Sequence, residues 1–472
     1  MNALKITSTL TRKVWRQLAI SQVPIVSSTD MSGLDRWVNI VNKAIHNSSY
    51  FPDIVHGYLG VEKHLGVTRF IPILTKEDLA VFYQLCGEIG DVVIESLPGI
   101  YGGWRSIPTP LNVPHLTRNR RGESIASLYQ QNYHSSTFSN VAWFQEYRSF
   151  NELVTSLVKS RSYGRYVMKT DVANFYDSID VGRLAVKLRQ DAPELTRHIE
   201  ILEIFLGYWN RRAVGYHRST KGIPQEIISD GSRNLSHYYL LDFDRKFINY
   251  CSTHDLKYIR WADDILIFGN TSSALEAAVH NASRFLLADG LNLSAPKTAL
   301  FSATDYGRHR GLAILQAIER KDQAAFQTEI RAMQKWSEKH PVKRDTIFRA
   351  AIGFTAELGT RATSFERNFL QETVLDHPEL IGGLNTKQIF RLISSADRPL
   401  AMFKQVAKLA KNTEVTAPKA NMLMLIRDRG DGLKKLGVTK RILEKTISDI
   451  SAGGGSDIIA DFCAPAAAAK LS

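Results

Sequence analysis

Two acidic turns stand out because each follows a run of apolar residues. Asp171 ends the stretch YVMKTD, and the pair Asp263-Asp264 lies in the middle of LKYIRWADDILIFGN. Carboxylates beside a hydrophobic sheet normally need a partner of opposite charge, and Mg²⁺ suits them because it prefers oxygen ligands. Two such ions about 4 Å apart can activate a hydroxyl nucleophile and stabilise the leaving group of an in-line phosphoryl transfer. An Asp-Asp pair alone is more typical of a solvated turn.

A strand and a hairpin are predicted to position these turns. YVMKTDV reads as a buried strand that leads through a turn into a helix, and LKYIRWADDILIFGN has two apolar arms around a polar turn, as in a β-hairpin. Upstream, RFIPI at residues 69–73 predicts a short strand followed by a helix. After about residue 315 the apolar spacing becomes helical. The pattern therefore predicts an α+β region followed by an all-helical one.

The composition is that of a globular protein with a basic surface. The 472 residues include 60 Lys and Arg against 47 Asp and Glu, a formal charge of +13, and 44% are hydrophobic. This balance favours a polyanionic partner such as nucleic acid, and a basic protein without one is the alternative. The three cysteines lack the paired spacing of a zinc site or a disulfide framework. Without an apolar run long enough for a signal peptide or a bilayer span, we expect a cytoplasmic protein with no membrane partner.

Four segments, in order, resemble the palm motifs A to D of reverse transcriptases: YVMKTDVANFYDSID, GIPQEIISDGSRNLSHYYL, RWADDILIF and GLNLSAPKTALF. RFIPI and YGGWR resemble the fingers of the same family. This ordered set carries far more weight than a lone Asp-Asp pair. The resemblance implies an α+β right-hand polymerase with fingers and a ferredoxin-like palm, followed by an all-helical thumb and C-terminal region. It further implies two Mg²⁺ ions, deoxynucleotide triphosphates, an RNA template and a DNA product.

The resemblance also implies a division of the chain. The expected parts are an N-terminal helical segment at 1–60, fingers at 61–165, a palm at 166–315, a helical thumb at 316–400, and a basic C-terminal extension with a flexible tail at 401–472. Basic residues of the last part either follow a phosphate backbone or form a solvated helical face. They are Lys404, Lys408, Lys411, Lys419, Arg427, Lys434, Lys435, Lys440 and Arg441.

Carried over to this sequence, the resemblance assigns roles to the acidic turns. Asp171 and Asp263 would be the metal ligands, helped by the backbone carbonyl of Val172, and Asp264 would support the metal site. Lys297 of motif D would protonate the pyrophosphate leaving group, a general-acid role that suits a cation near polyphosphate. A solvated lysine is the alternative for Lys297.

Four further residues are expected to contact the nucleotide. Tyr176 resembles the aromatic residue under the sugar, where a ring collides with a ribose 2′-hydroxyl and thus favours deoxynucleotides; a core aromatic is its alternative. Gln225 resembles the glutamine that touches the incoming nucleotide. Ser232 resembles the start of the helix against the templating base pair. Arg69 resembles the fingers arginine that binds the triphosphate, because a guanidinium fork suits phosphate oxygens.

Two motifs depart from the usual pattern. Glu226 stands where most relatives have Gly, and the loop to Ser232 is longer than usual, so Ser229 is an alternative to Ser232. Trp261 replaces the usual Tyr or Phe before Ala-Asp-Asp, and an indole beside the primer end would alter priming or fidelity.

With these departures and its helical C-terminal region, the sequence resembles the defence-associated and abortive-infection group of bacterial reverse transcriptases. That group implies DNA synthesis triggered by phage infection, with templates that range from an associated structured non-coding RNA to none. It also implies a protein side chain as primer in some members, and homo-oligomers. The alternatives are an untemplated protein-primed DNA polymerase, a retron or intron enzyme, an RNA polymerase with the same palm, which Tyr176 opposes, and an inactive RNA-binding palm scaffold.

Overall fold

The structure is a computed structural model that describes residues 4–19, 33–64, 66–102, 140–159, 164–225, 230–338, 342, 344–452 and 458–471. Two compact units divide the chain. The first takes in Met1–Arg16, Met31–Ile54 and Leu74–Gly307, and the second takes in Gln17–Asp30, Val55–Ile73 and Arg308–Ser472. Both acidic turns belong to the first unit.

Helices account for most of the described chain. The strands are β1 (Gly57–His64), β2 (Val67–Ile73), β3 (Ile100–Tyr101), β4 (Tyr166–Asp171), β5 (Lys257–Trp261), β6 (Asp264–Gly269) and β7 (Ala299–Ser302). The helices are α1 (Ser8–Ala19), α2 (Leu34–His46), α3 (Lys76–Val93), α4 (Asn140–Lys159), α5 (Phe175–Ser178), α6 (Val181–Asp191), α7 (Thr196–Tyr208), α8 (Arg211–Val214), α9 (Asp230–Thr253), α10 (Ser272–Leu287), α11 (Ala303–His309), α12 (Leu312–Arg320), α13 (Gln323–Ser337), α14 (Arg344–Leu358), α15 (Ser364–Asp376), α16 (Thr386–Ser394), α17 (Pro399–Asn412), α18 (Thr416–Lys435), α19 (Lys440–Ser451) and α20 (Ala464–Ala469). Shorter 3₁₀ turns lie at Pro193–Leu195, Ala295–Lys297, Gly359–Arg361 and Pro378–Gly383, and a π-helix lies at Ile458–Cys463.

A five-stranded mixed sheet forms the centre of the first unit, with the strand order β3-β5-β6-β4-β7. The central strand β6 pairs antiparallel with β4 and β5, β7 pairs antiparallel with β4, and β3 runs parallel to β5. Residues 265–269 of β6 are buried without alternation, as expected of a central strand covered on both faces. Its sequence ILIF combines β-branched and aromatic side chains that favour such a strand.

Helices pack against this sheet and begin at defined caps. α9 packs against α3, α10 and β5, and α10 packs against β6 and β4. The Thr75 side chain caps α3 by accepting a hydrogen bond from the Asp78 amide (3.1 Å), and Asp180 caps α6 by accepting one from the Arg183 amide (2.8 Å). Caps of this kind contribute about 1 kcal/mol each and fix where a helix begins.

Within its described residues, the second unit is helical apart from the β1–β2 hairpin. This hairpin packs against α18, where the Gly60 amide donates a hydrogen bond to the Thr416 hydroxyl (2.5 Å). Buried Asn421 of α18 donates its side-chain amide to carbonyls of the Pro378–Gly383 turn at 3.0 and 3.1 Å. Such a buried amide fixes the turn against the helix, because an unmade hydrogen bond there would be costly.

The observed fold confirms the α+β class and the main predicted elements. The predicted strand YVMKTDV is β4, the predicted hairpin is β5 with β6, and RFIPI lies within β2. The helical pattern expected after residue 315 is confirmed from α12 onward. The division into fingers, palm, thumb and extension stays a prediction, and residues 103–105 of YGGWR and the GGGS segment of the tail lie outside the described residues. None of the helices in the described ranges is both long and apolar enough to cross a bilayer.

Candidate active site

The two acidic turns lie side by side at one edge of the sheet, as predicted. Antiparallel pairing of β4 with β6 places Asp171 directly opposite Asp264. The main chain continues this pairing, because the Val172 amide donates a hydrogen bond to the Asp263 carbonyl (3.2 Å). Backbone hydrogen bonds therefore bring together two segments that lie about 90 residues apart in the sequence, and with them the three carboxylates.

The electrostatics of these carboxylates are unfavourable without a cation. Burial, followed by the charges of Asp171 and Asp264, raises the pKa of Asp263 to about 6. Burial also raises the pKa of Asp171, with a further contribution from Asp264, although Lys297 opposes the rise. Carboxylates that repel one another in this way favour a bound cation.

Lys297 contacts this cluster directly. Its Nζ lies 2.5 Å from Oδ2 of Asp171, which is buried, whereas about half of the Lys297 side chain is exposed. The backbone sets this position, because the Ser294 amide donates to the Asp171 carbonyl (2.8 Å) and the Lys297 amide donates to the Ser294 carbonyl (3.1 Å). Lys169 acts on Asp171 in the same direction, yet the pKa of Asp171 stays raised.

The oxygen atoms of this cluster fit the way in which nucleotide-dependent enzymes bind Mg²⁺. Nowhere in the described ranges do three His, Cys, Asp or Glu side chains form a group that could hold a metal by themselves. Mg²⁺ is usually held by one or two carboxylates, several waters and the substrate phosphates, and not by an all-protein cage. Asp171 and Asp263 with the Val172 carbonyl would form such an open set.

A buried ion pair beneath the hairpin turn was missed by the sequence analysis. Arg260 of β5 donates to both carboxylate oxygens of Asp244 on α9, through Nε at 2.9 Å and through Nη2. The exposed fractions are 1% for Arg260 and 0% for Asp244. Nη1 of Arg260 donates to the Ala262 carbonyl (2.6 Å), and the Tyr258 hydroxyl donates to Asp244 (2.7 Å). The pair thus holds the residue immediately before Asp263.

The turn is also held from the side of β3. Ala262 has a φ of 50°, in the left-handed region, and its amide donates to the Tyr101 carbonyl (3.1 Å). Gly102 lies so close that a Cβ atom there would be 2.6 Å from the Ala262 nitrogen. Any side chain at residue 102 would therefore displace the acidic turn.

Comparison with known proteins agrees with this geometry. Residues 122–345 match the family described as reverse transcriptase (RNA-dependent DNA polymerase). The chain carries a reverse transcriptase domain. A search of curated proteins found no match. Among solved structures, this chain is similar to telomerase from Candida albicans in complex with a fragment of telomeric RNA, at 11% identity and a TM-score of 0.29. That similarity covers 67% of this chain and 55% of the telomerase chain, so this chain spans about half the length of its relative.

Tyr176 lies on α5, the short helix that follows β4. Its ring is half-buried and meets buried Phe175 edge-on at 5.6 Å between centroids. Its carbonyl accepts a hydrogen bond from the Ile223 amide (3.0 Å), and Gly222, at a φ of 93°, lies against Asp177. Motif B is thereby joined to motif A at the residue expected to meet the sugar.

The remaining motif B residues have different surroundings. Oε1 of Gln225 is buried and has no hydrogen-bond partner among the described residues, which leaves an acceptor available for a ligand. Ser232 is fully buried, and its hydroxyl donates to the Pro224 carbonyl. Its expected contact with the templating base pair stays a prediction, and Glu226 and Ser229 lie outside the described residues.

The other predicted residues have defined positions in their own units. Arg69 lies on β2 of the second unit, opposite Val61, with its side chain exposed. Trp261 packs against Tyr147 and Phe150 of α4, at 5.0 and 5.4 Å between ring centroids. The Trp261 indole, which is larger than the Tyr or Phe usual at this position, is therefore part of an aromatic cluster.

One residue of the predicted basic face is not on the surface. Lys419 is only 2% exposed, because it lies in the buried first half of α18. Its inclusion among solvated or phosphate-binding residues was wrong. The other residues of that set are exposed, except for Arg427, which is partly buried and lies 2.6 Å from Asp428.

Proposed function

We propose that this reverse transcriptase domain extends a primer with deoxynucleotides by two-metal phosphoryl transfer, copying an RNA template. The observation that carries the proposal is the pairing of β4 with β6, which brings Asp171, Asp263 and Asp264 to one edge of the sheet. The family match supports the same reaction. The predicted fingers, palm and thumb are part of this proposal.

Each residue then has a chemical task. Asp171 and Asp263, with the Val172 carbonyl, would hold two Mg²⁺ ions, and Asp264 would add to the negative potential that attracts them. The bound ions would supply Lewis acidity at the primer hydroxyl and at the leaving pyrophosphate. Lys297 would leave Asp171 and give its proton to the pyrophosphate.

Three residues would select and orient the nucleotide. The Tyr176 ring would exclude a ribose 2′-hydroxyl, and the unpartnered Oε1 of Gln225 would accept a hydrogen bond from the incoming nucleotide. Arg69 would bind the triphosphate, for which its planar guanidinium is well suited.

A polymerase assay on the full chain tests this function. With Mg²⁺, a primed RNA template and labelled dNTPs, the wild-type protein should extend the primer, and Asp263→Ala should lose at least roughly a thousandfold of the rate, because a metal ligand contributes several kcal/mol to the transition state. Glu276→Ala removes an exposed carboxylate of α10 and serves as the matched control. Equal rates for wild type and Asp263→Ala would end the catalytic assignment, and preferential use of ribonucleotides would favour an RNA polymerase.

We further propose a role in antiphage defence, supported by the resemblance to the defence-associated group at Trp261, Glu226 and the helical C-terminal region. A bacterial host that expresses the wild type should resist phage, and one that expresses Asp263→Ala should not. Sequencing of nucleic acid that co-purifies with the protein would identify a structured RNA template. DNA covalently attached to the protein, without a recurring transcript, would instead indicate untemplated, protein-primed synthesis. Equal phage plating on both hosts would remove the defence role and leave the polymerase in place.

A further inference from the structure

An exposed segment that is both basic and aromatic joins α7 to motif B in the first unit. We call residues 208–221 the basic loop. The sequence from Ile204 to Gln225 contains no acidic residue, whereas Arg211, Arg212, Arg218 and Lys221 are cations. Arg218 is paired with Glu203 of α7 (3.9 Å), and the other three cations give this short segment a surface that is complementary to a polyanion.

The tip of the basic loop presents an aromatic ring to solvent. Tyr216 is 83% exposed, the largest exposed fraction among the exposed large hydrophobic residues of the described chain. Gly215, at a φ of 77°, ends α8 directly before it. A single exposed aromatic side chain is common on protein surfaces, but beside several cations it offers a face on which a nucleobase can stack.

The base of the loop adds a second aromatic and basic group. Phe51 is 47% exposed and its ring lies 4.7 Å from that of Tyr208. The guanidinium of Arg211 lies over Phe51 at 4.8 Å, and its buried Nε makes no hydrogen bond within the described residues. This cation–π arrangement places a cationic group beside the exposed ring of Phe51.

The loop returns to the site that the polymerase reaction would use. Lys221 forms an isolated antiparallel bridge with Asp180, and the Val181 amide donates to the Thr220 carbonyl (3.0 Å). Two residues further on, Ile223 is hydrogen-bonded to Tyr176. The basic loop is therefore anchored on the segment that follows motif A.

We propose that the basic loop binds single-stranded nucleic acid, with bases stacking on Tyr216 and phosphates contacting Arg212 and Arg211. The proposal deepens the proposed function and rests on it for the identity of the strand as template. A single strand is required because a base inside a duplex is already stacked on its neighbours and cannot cover a protein ring.

Fluorescence anisotropy with labelled oligonucleotides tests the proposal on the full chain. Single-stranded RNA, single-stranded DNA and duplex DNA of equal length are compared at several salt concentrations. Tyr216→Leu should weaken single-strand binding roughly tenfold, whereas Tyr216→Phe should bind like the wild type because it keeps the ring. Arg212→Ala should reduce the slope of log K against log salt by roughly 0.7, and Arg284→Ala, which removes an exposed arginine of α10, is the charge-matched control.

The outcomes separate this proposal from the polymerase assignment. Loss of binding in Tyr216→Leu and not in Tyr216→Phe supports the loop site even if no dNTP is incorporated. Unchanged binding in both Tyr216→Leu and Arg212→Ala overturns it even if the wild type is an active polymerase. A changed oligomeric state of Tyr216→Leu in sedimentation, with unchanged nucleic-acid binding, would also overturn it in favour of a contact between copies of the chain.

Discussion

Two groups of charged residues in the first unit show opposite ways of burying a carboxylate. Asp244 is completely buried and is met by Arg260 and by the Tyr258 hydroxyl. The carboxylates at 171, 263 and 264 lie at the edge of the same sheet, where burial and mutual repulsion raise the pKa of Asp171 and Asp263. The charge of the first group is compensated within the fold. The repulsion within the second group would be relieved by a bound cation.

The difference teaches which charges serve structure and which serve chemistry. A buried ion pair whose donors and acceptors are all used holds the main chain at Ala262 in one place. Carboxylates that repel one another lower stability, and groups perturbed in this way are candidates for chemistry. The buried ion pair positions this self-repelling cluster.

The largest expected effect follows from breaking the compensated pair. Asp244→Asn leaves the Arg260 guanidinium buried without its counter-charge and should lower the free energy of unfolding by about 3 to 5 kcal/mol. Asp242→Asn, two residues earlier on α9, removes an exposed partner of Lys187 and Arg245 and should cost less than about 1 kcal/mol. Urea denaturation of both variants gives the comparison, and similar losses would show that burial of the pair does not matter.

Removing one charge from the cluster of Asp171, Asp263 and Asp264 should have the opposite effect on stability. In the metal-free protein, Asp263→Asn should raise the free energy of unfolding by about 1 to 2 kcal/mol at pH 8, while polymerase activity is lost. The pKa of Asp263 is raised to about 6, so the folded state binds the proton more tightly than the unfolded state. Wild-type stability therefore falls as pH rises between about 4 and 6, and the advantage of the Asp263→Asn variant should vanish below about pH 4.

Thermal unfolding in EDTA across this pH range measures the effect. Glu276→Gln, on the exposed surface of α10, is the control for loss of one carboxylate. A variant Asp263→Asn that is no more stable than the wild type at pH 8 would contradict the idea of a self-repelling cluster.

Removing Lys297 from the cluster should make it a stronger cation site. Lys297→Met removes the charge that lies 2.5 Å from Asp171, so Mn²⁺ should bind about fivefold more tightly in the absence of nucleotide. Electron paramagnetic resonance of free Mn²⁺ measures the affinity without turnover. Unchanged affinity would show that Lys297 does not compete with the metal.

The smallest expected effect concerns the third member of the compensated group. Tyr258→Phe removes one hydrogen bond to Asp244 and leaves both bonds from Arg260, so it should cost about 1 kcal/mol. Chemical denaturation checks this value. A loss as large as that of Asp244→Asn would mean that Tyr258 and Arg260 act as one unit.

Much of the sheet and the convergence of its acidic turns could be predicted from the sequence. The apolar runs before Asp171 and on both sides of Asp263 are local patterns, and antiparallel pairing of such runs brings their ends together. The order of the four motifs then identified what the ends could do. The individual roles of Tyr176 and Lys297 stay predictions until they are measured.

The supporting contacts could not be predicted, because they join residues without a shared local pattern. Asp244 lies within a helix and Arg260 within a strand, and only the shared face of Tyr258 and Arg260 in β5 hints that a polar residue there is buried. The contact of Gly60 with Thr416 spans most of the chain. Lys419 was misjudged because its charge suggested a surface position, whereas the first half of α18 is buried.

The hydrogen bond from the Val172 amide to the Asp263 carbonyl has a consequence for how this protein can change over time. The spacing of the two acidic segments is set by main-chain atoms, which every amino acid except proline supplies. Residue 172 can therefore be substituted by other apolar residues that fit its buried position, and the distance between the segments is preserved. Proline is the one replacement that would open the gap, whatever its fit to the surrounding core.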